Sequence, residues 1–251
     1  MKSRWRRVGL LYLIVVVGGI SLIAFALGSP ASQPEEVPLS EIIARSQANQ
    51  IAKITVDGEG LTVIDASDPR EMEVIATVPL GKRVWGIDAK NEVVYLLDGG
   101  LMAIDVSDPR NPKPISSLAE PKSVSEIVLA GDYMFLAAYD DGLWIFDISN
   151  PRRPAFISKV DLPMVRDVKP VGKDRAVVAC QELVMLDLTD IKRPEIISRS
   201  EYGRKLVEVA VTPDGRFALI CYIVDGRRIA TVDISDPRKV KTISYRGGRS
   251  I

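Results

Sequence analysis

The sequence predicts an all-β protein, a β-propeller with five blades favoured, preceded by a single transmembrane helix and a short amphipathic helix. Three observations carry this. A ten-residue phrase recurs five times, each copy is flanked by further short strands, and an uncharged 20-residue run lies near the N-terminus.

The anchor comes first in the chain. Residues 1–7, MKSRWRR, hold Lys2, Arg4, Arg6 and Arg7 and no acid. Val8 to Leu27, VGLLYLIVVVGGISLIAFAL, has no charge. About 20 apolar residues at 1.5 Å rise span a hydrocarbon core of about 30 Å. The flanking cations favour the cytoplasmic side, so the C-terminal part is expected outside the cell membrane. A cleaved signal peptide is the alternative, with Ala24-Phe25-Ala26 as a small-x-small site. Its apolar region would usually be shorter, about 7–15 residues. Residues 1–7 are thus read as a cytoplasmic tip, 8–28 as a transmembrane anchor, 29–50 as linker and short helix, and 51–251 as the propeller.

The linker, Ser29 to Pro38, has three prolines and is too polar to bury. The helix is expected over Leu39–Ser46. Ser40 would cap it, Glu41 would sit at the positive end of its dipole, and Leu39, Ile42 and Ile43 would form its apolar stripe. Ile51–Val56 then alternates as a strand, Asp57-Gly58-Glu59-Gly60 turns, and Leu61–Ile64 returns. An anchor followed by V-P-L-S-E-I-I, a spacer and K-I-T-V-D-G resembles the extracytoplasmic N-terminal module of FtsH-type membrane proteases, over about residues 35–64. The protease's working parts do not come with it: the chain has no G-x-x-x-x-G-K-[ST] loop and no H-E-x-x-H. A spacer helix and a first propeller strand explain the same residues.

The repeated phrase is LTVIDASDPR at 61–70, LMAIDVSDPR at 101–110, LWIFDISNPR at 143–152, LVMLDLTDIK at 183–192 and IATVDISDPR at 229–238. Its first aspartates, Asp65, Asp105, Asp147, Asp187 and Asp233, are 40, 42, 40 and 46 residues apart. Apolar and β-branched residues make a buried strand. Asp, Ser/Thr and Asp/Asn then bond nearby amides, and proline presets φ for the turn. Calcium binding is the competing account of these aspartates, but the phrase lacks a glycine-rich loop of clustered ligands.

Three more strands accompany each phrase. They are Val84–Ala89, Val93–Leu97 and Lys113–Leu118 in unit two, and Val124–Ala130, Tyr133–Tyr139 and Ala155–Val160 in unit three. Unit four has Val165–Val171, Arg175–Cys180 and Glu195–Arg199; unit five has Leu206–Thr212, Phe217–Tyr222 and Val240–Tyr245. Four strands in about 40 residues make a propeller blade. The phrases resemble the LVIVD-repeat family, whose G-L-x-I-x-D-V-S-D-P units build β-propellers, over about residues 61–247. That resemblance implies an exported or surface-associated binding role. Unit one has Glu73–Val78, the phrase strand and Ile51–Val56 but no innermost strand, so the first blade is expected to be incomplete. An open arc, or four blades with an added hairpin, stays open beside the five-bladed ring.

Aligning the innermost strands puts Gly86, Glu126, Asp167 and Glu208 in one column, and Trp85, Ser125, Arg166 and Val207 beside it. The candidate binding residues are therefore Trp85, Glu126, Arg166, Asp167 and Glu208. The carboxylates would form an acidic arc holding a cation or a basic peptide, or would accept backbone N–H bonds and lock neighbouring blades. Loops bearing Lys82, Arg83, Lys122, Met164, Arg204 and Lys205, with those bearing Asp98, Asp140, Asp141, Arg227 and Arg228, are expected on one face. Cys180 and Cys221, placed by alignment at matching positions of successive units (AVVAC and FALIC), are expected to be core thiols.

The absence of histidine among 251 residues excludes Ser-His-Asp and Cys-His triads and His-ligated zinc or haem. No cofactor or metal is expected. Equal counts of 33 basic and 33 acidic residues give no reason for a nucleic-acid partner, and without the N-terminal tip the balance is 29 to 33. These readings converge on a membrane-anchored interaction or scaffold module that is not catalytic, with a protein partner in or at the membrane. The alternative is a ligand-binding or carboxylate-dependent hydrolytic propeller using the acidic arc, its small-molecule ligand unknown.

Overall fold

The phrase repeats build five antiparallel sheets of four strands. The computed structural model describes residues 41–45, 51–57, 60–65, 70–80, 84, 86–97, 100–202, 206–223 and 227–247. The expected anchor and linker lie outside them. Blade one is β1 (Glu41–Arg45), β2 (Ile51–Asp57), β3 (Gly60–Asp65) and β4 (Glu73–Pro79). Blade two is β5 (Ile87–Lys90), β6 (Val93–Leu97), β7 (Leu101–Asp105) and β8 (Lys113–Leu118). Blade three is β9 (Glu126–Ala130), β10 (Tyr133–Ala137), β11 (Leu143–Asp147) and β12 (Ala155–Val160). Blade four is β13 (Asp167–Val171), β14 (Arg175–Ala179), β15 (Leu183–Asp187) and β16 (Glu195–Ser200). Blade five is β17 (Leu206–Val211), β18 (Phe217–Ile223), β19 (Arg227–Asp233) and β20 (Lys241–Gly247).

The first blade corrects two expectations. Glu41–Arg45 is a strand, not the core of an amphipathic helix, and it pairs antiparallel with β2 from Glu41↔Thr55 to Arg45↔Ile51. With it, blade one has all four strands. Ile42 and Ile43 are β-branched and suit a strand, and five residues are too few for a stable helix of their own. Pairing with β2 gives their backbone groups partners along a whole edge.

Turn chemistry accounts for the phrase aspartates. The first carboxylate of each described copy accepts the amide two residues on: Ser107 at 2.9 Å, Ser149 at 2.7 Å, Thr189 at 2.8 Å and Ser235 at 2.9 Å. The second Asp or Asn does the same for Arg110, Arg152, Lys192 and Arg238, at 3.0–3.2 Å. A glycine precedes the phrase strand where the outer strand crowds it. A Cβ on Gly100 would stand 2.5 Å from the Leu118 carbonyl oxygen.

The core lies between blades. Leu61 and Val63 of blade one pack with Val94, Leu96 and Ile104 of blade two. Separate clusters fill the junctions of blades two and three, three and four, and four and five. In each, the residues two and four before the phrase aspartate face the next blade, and the residue one before it faces the previous one. Phrase turns are tied across the same junctions: the Ser158 hydroxyl donates to the Ile191 carbonyl at 2.7 Å, and Ser198 to Pro237 at 2.6 Å. Ile191 replaces proline in its phrase, but its carbonyl keeps the same role.

Blade five ends this series. Leu219 is 44% exposed, whereas its register equivalents Tyr95, Phe135 and Val177 are 0–2% exposed. Among the described residues, no apolar cluster joins blade five to blade one. The innermost strands β1, β5, β9, β13 and β17 follow one another side by side.

Candidate functional site

The innermost strands of blades three, four and five line an open cavity of about 230 Å³. Register places the acidic column as aligned: Glu126 pairs with Ala137, Asp167 with Ala179 and Glu208 with Cys221, all at equivalent positions. Gly86 holds the corresponding place in blade two, its carbonyl accepting the Leu97 amide at 3.1 Å. The cavity brings together Glu126, Arg166, Asp167 and Glu208 of the five candidate residues, with Ser125, Tyr139, Lys169 and Val207. Trp85, the fifth, lies outside the described residues.

Local structure sets each side chain. Tyr139, with φ of 45°, forms a bridge with Val165, each amide donating to the other's carbonyl at 2.9 Å. This fastens the end of blade three's central hairpin to the entry of blade four. It also places the Arg166 guanidinium 5.6 Å from the centroid of the Tyr139 ring. The Ser125 Oγ lies 2.8 Å from the Arg166 carbonyl and 3.0 Å from the Ala137 carbonyl, within donating distance of either, closing the same junction. Asp140 on the adjoining loop accepts the Met164 amide at 3.2 Å, so the two loop sets do meet here. Lys82, Arg83, Asp98, Arg204 and Lys205 lie outside the described residues.

The carboxylates then divide. Asp167, 3% exposed, accepts Val168 N–H at 2.7 Å from its own strand and Val209 N–H at 2.9 Å from blade five. The Lys169 ammonium donates to it at 2.7 Å. Burial pushes the Asp167 carboxyl up, and Lys169 with the two amides opposes the rise. Lys169 is itself raised: burial favours its neutral form, but Asp167, Glu126 and Glu208 together favour the charged one. Sequence alignment did not single out Asp88, yet it behaves as Asp167 does. It is 4% exposed and accepts Ala89 N–H at 2.8 Å and Leu129 N–H of blade three at 3.0 Å. Its signal was an acid inside the buried strand I-D-A-K, in the one blade whose column position is a glycine. Burial raises it to about 6. The lock expected of the whole column thus belongs to Asp167 and, two positions along, to Asp88.

Glu126 and Glu208 make no such lock. Glu126 is 8% exposed, and among the described residues no hydrogen bond or ion pair reaches its carboxylate. Burial raises it to about 8, with Asp167, Asp88 and Glu208 adding to the rise and Lys169 opposing it. The half-buried Glu208 is raised by burial and then by Asp167. Because burying a carboxyl without a partner is costly, Glu126 stays protonated near neutral pH.

The cysteines are both free. Cys180 is buried as expected, but Cys221 is half-exposed. Register pairs the position of Cys221 with Ala179, so the two cysteines are offset by one residue and belong to opposite sheet faces. Cys221 shares the uncovered face of blade five with Leu219. Among the described residues, no group of His, Cys, Asp or Glu is arranged to hold a metal ion.

The chain carries an LVIVD repeat at residues 121–162 and matches the FtsH extracellular family over residues 9–109. The second match reaches beyond the expected segment, through blade one into blade two. It fits an extracellular, membrane-associated module. Among the described residues, no helix is long and apolar enough to cross a membrane. No curated protein matches the chain. Similar solved structures are β-propellers. A functionally unknown protein from Desulfotomaculum acetoxidans aligns at 10% identity and TM-score 0.64, covering 83% of this chain and 70% of that one. A suggested 6-phosphogluconolactonase from Bacteroides uniformis aligns at 13% identity and TM-score 0.65, covering 81% and 70%. The propeller domain of Myceliophteria thermophila Cps50 (Swd1) aligns at 16% identity and TM-score 0.61, covering 82% and 70%. At these identities the likeness is one of fold alone.

Proposed function

We propose that the protein is a membrane-anchored, extracytoplasmic propeller that docks a protein partner in or at the membrane and performs no chemistry of its own. The observation that carries this is the cavity lined by three blades, whose buried Glu126 carboxyl has no hydrogen-bond partner among the described residues. Two further features support it. The apolar run at 8–28 behind a basic tip favours a body outside the membrane, and the FtsH extracellular match supports that reading. Asp88 and Asp167 are spent on backbone amides, which leaves fewer carboxyls for acid–base work. Photo-crosslinkers at Pro163, beside the cavity, and at Lys173, in a turn at the other end of blade four, test the reading in intact membranes. A discrete adduct from position 163 and none from 173 is expected; no adduct from either, or equal labelling, overturns it.

One observation favours a second reading. A carboxyl held protonated near neutral pH is what a general acid needs, and Glu208 shares its cavity. Hydrolysis of fluorogenic glycosides or lactones by the purified chain, lost in Glu126→Gln, would move the assignment to a carboxylate-dependent hydrolase.

A further inference from the structure

The polar groups lining the cavity sort by whether they are already engaged. The Lys169 ammonium is on Asp167, the Ser125 hydroxyl is within donating distance of two carbonyls, and the Arg166 guanidinium lies over the Tyr139 ring. Asp167 is filled by two amides and an ammonium. Of the carboxyls, Glu126 at 8% exposure and the half-buried Glu208 have no hydrogen bond among the described residues; the half-buried Arg166 N–H groups and Tyr139 hydroxyl are likewise unbonded there. As carboxylates Glu126 and Glu208 are both acceptors, so a ligand that fills both is a donor and takes the place of the Glu126 proton.

Charge chooses among donors. Glu126 feels Asp167 on β13, Asp88 on β5 and Glu208 on β17, against Lys169 on β13. Glu208 feels Asp167 against Lys169 and Arg227. Burial is the main reason Glu126 keeps its proton; Lys169 opposes that, and the three acids add to it. A ligand that brings its own positive charge would displace that proton.

We propose that the cavity receives one cationic side chain of the partner, a lysine ammonium or an arginine guanidinium, with Glu126 and Glu208 as its anionic contacts. The proposal rests on the docking reading above and names the chemistry of the group that enters. Binding is coupled to loss of the Glu126 proton. With that carboxyl at about 8 in the empty site, affinity rises about 50–100-fold from pH 6 to pH 9 and levels off above.

The test is calorimetry on the full chain in detergent with n-butylammonium, n-butylguanidinium, and the peptides Gly-Gly-Arg-Gly-Gly and Gly-Gly-norleucine-Gly-Gly. Buffers of different ionisation enthalpy count the protons released. The expected result is saturable binding of both cations and of the arginine peptide but not the norleucine peptide, with about one proton released at pH 7. Glu126→Gln should weaken it at least tenfold. Glu208→Gln, at a half-buried site that tolerates the change, should weaken it severalfold and guards against misfolding of the first variant. Absence of saturable binding, or unchanged affinity in both variants, overturns the proposal. Binding of the free cations with exclusion of the arginine peptide overturns the partner side chain as their source. Should the membrane adduct at position 163 form equally in Glu126→Gln, docking stands and the cationic anchor falls.

Discussion

Asp167 and Glu126 occupy the same register position in neighbouring blades, and both are more than nine-tenths buried. One is saturated with hydrogen bonds and the other has none among the described residues. Side-chain length separates them. An aspartate on an inner strand reaches back to the amide of the next residue and across to the neighbouring blade, as Asp88 does with Ala89 and Leu129. In Glu126 one more methylene carries the carboxyl past those amides and into the cavity. A column that looks uniform in the sequence is therefore two devices: aspartates that tie blades together and glutamates that leave an acceptor facing the cavity.

The comparison breaks most visibly at Asp167. Asp167→Ala strands the Lys169 ammonium and two amides, and is expected to cost about 3–5 kcal/mol by thermal melts of the full chain. Glu126→Gln works the other way. An acid whose folded pKa, about 8, lies above its usual 4.5 binds more protons folded than unfolded, so stability falls as pH rises through that window. The variant removes this loss. It should match the parent at pH 4.5 and exceed it at pH 9 by about 2–3 kcal/mol, under the ceiling of roughly 5 kcal/mol that the shift sets. A parent whose stability is flat from pH 5 to 9 would remove the distinction. Asp88→Asn puts an amide group where two N–H donors point and is expected to cost about 1–3 kcal/mol. The smallest effect concerns the two ends of the blade series. Leu219→Ser on the open face should stay within about 0.5 kcal/mol, while Val177→Ser at the equivalent buried position should cost several times more.

Much of the fold was legible because the phrase repeats at nearly fixed spacing and each aspartate marks a strand end. The open end of the series was legible too, though easily passed over. Thr231 stands where Val63, Ala103, Ile145 and Met185 pack toward the next blade. At the other end, Lys53 and Thr55 hold the register positions of Val94 and Leu96. Glu41–Arg45 was not legible: two isoleucines among polar residues fit one turn of helix or one short strand, and pairing with β2 decides between them. The column Glu126, Asp167, Glu208 could be aligned, but the fate of each acid depends on where the next blade's amides lie. The alignment of the cysteines at matching positions failed on a one-residue offset, which in a strand moves a side chain to the other face. Asp88 escaped because it sits two positions outside the column.

The central claim is that Glu126 is a buried, protonated acid holding a place for a cation. Infrared difference titration, parent minus Glu126→Gln, reads that proton directly through the carboxylic C=O band. The band should persist at neutral pH, titrate with a midpoint of about 8, and vanish at pH 7 when n-butylguanidinium is added. A midpoint near 4.5, or a band that the cation leaves untouched, would contradict it.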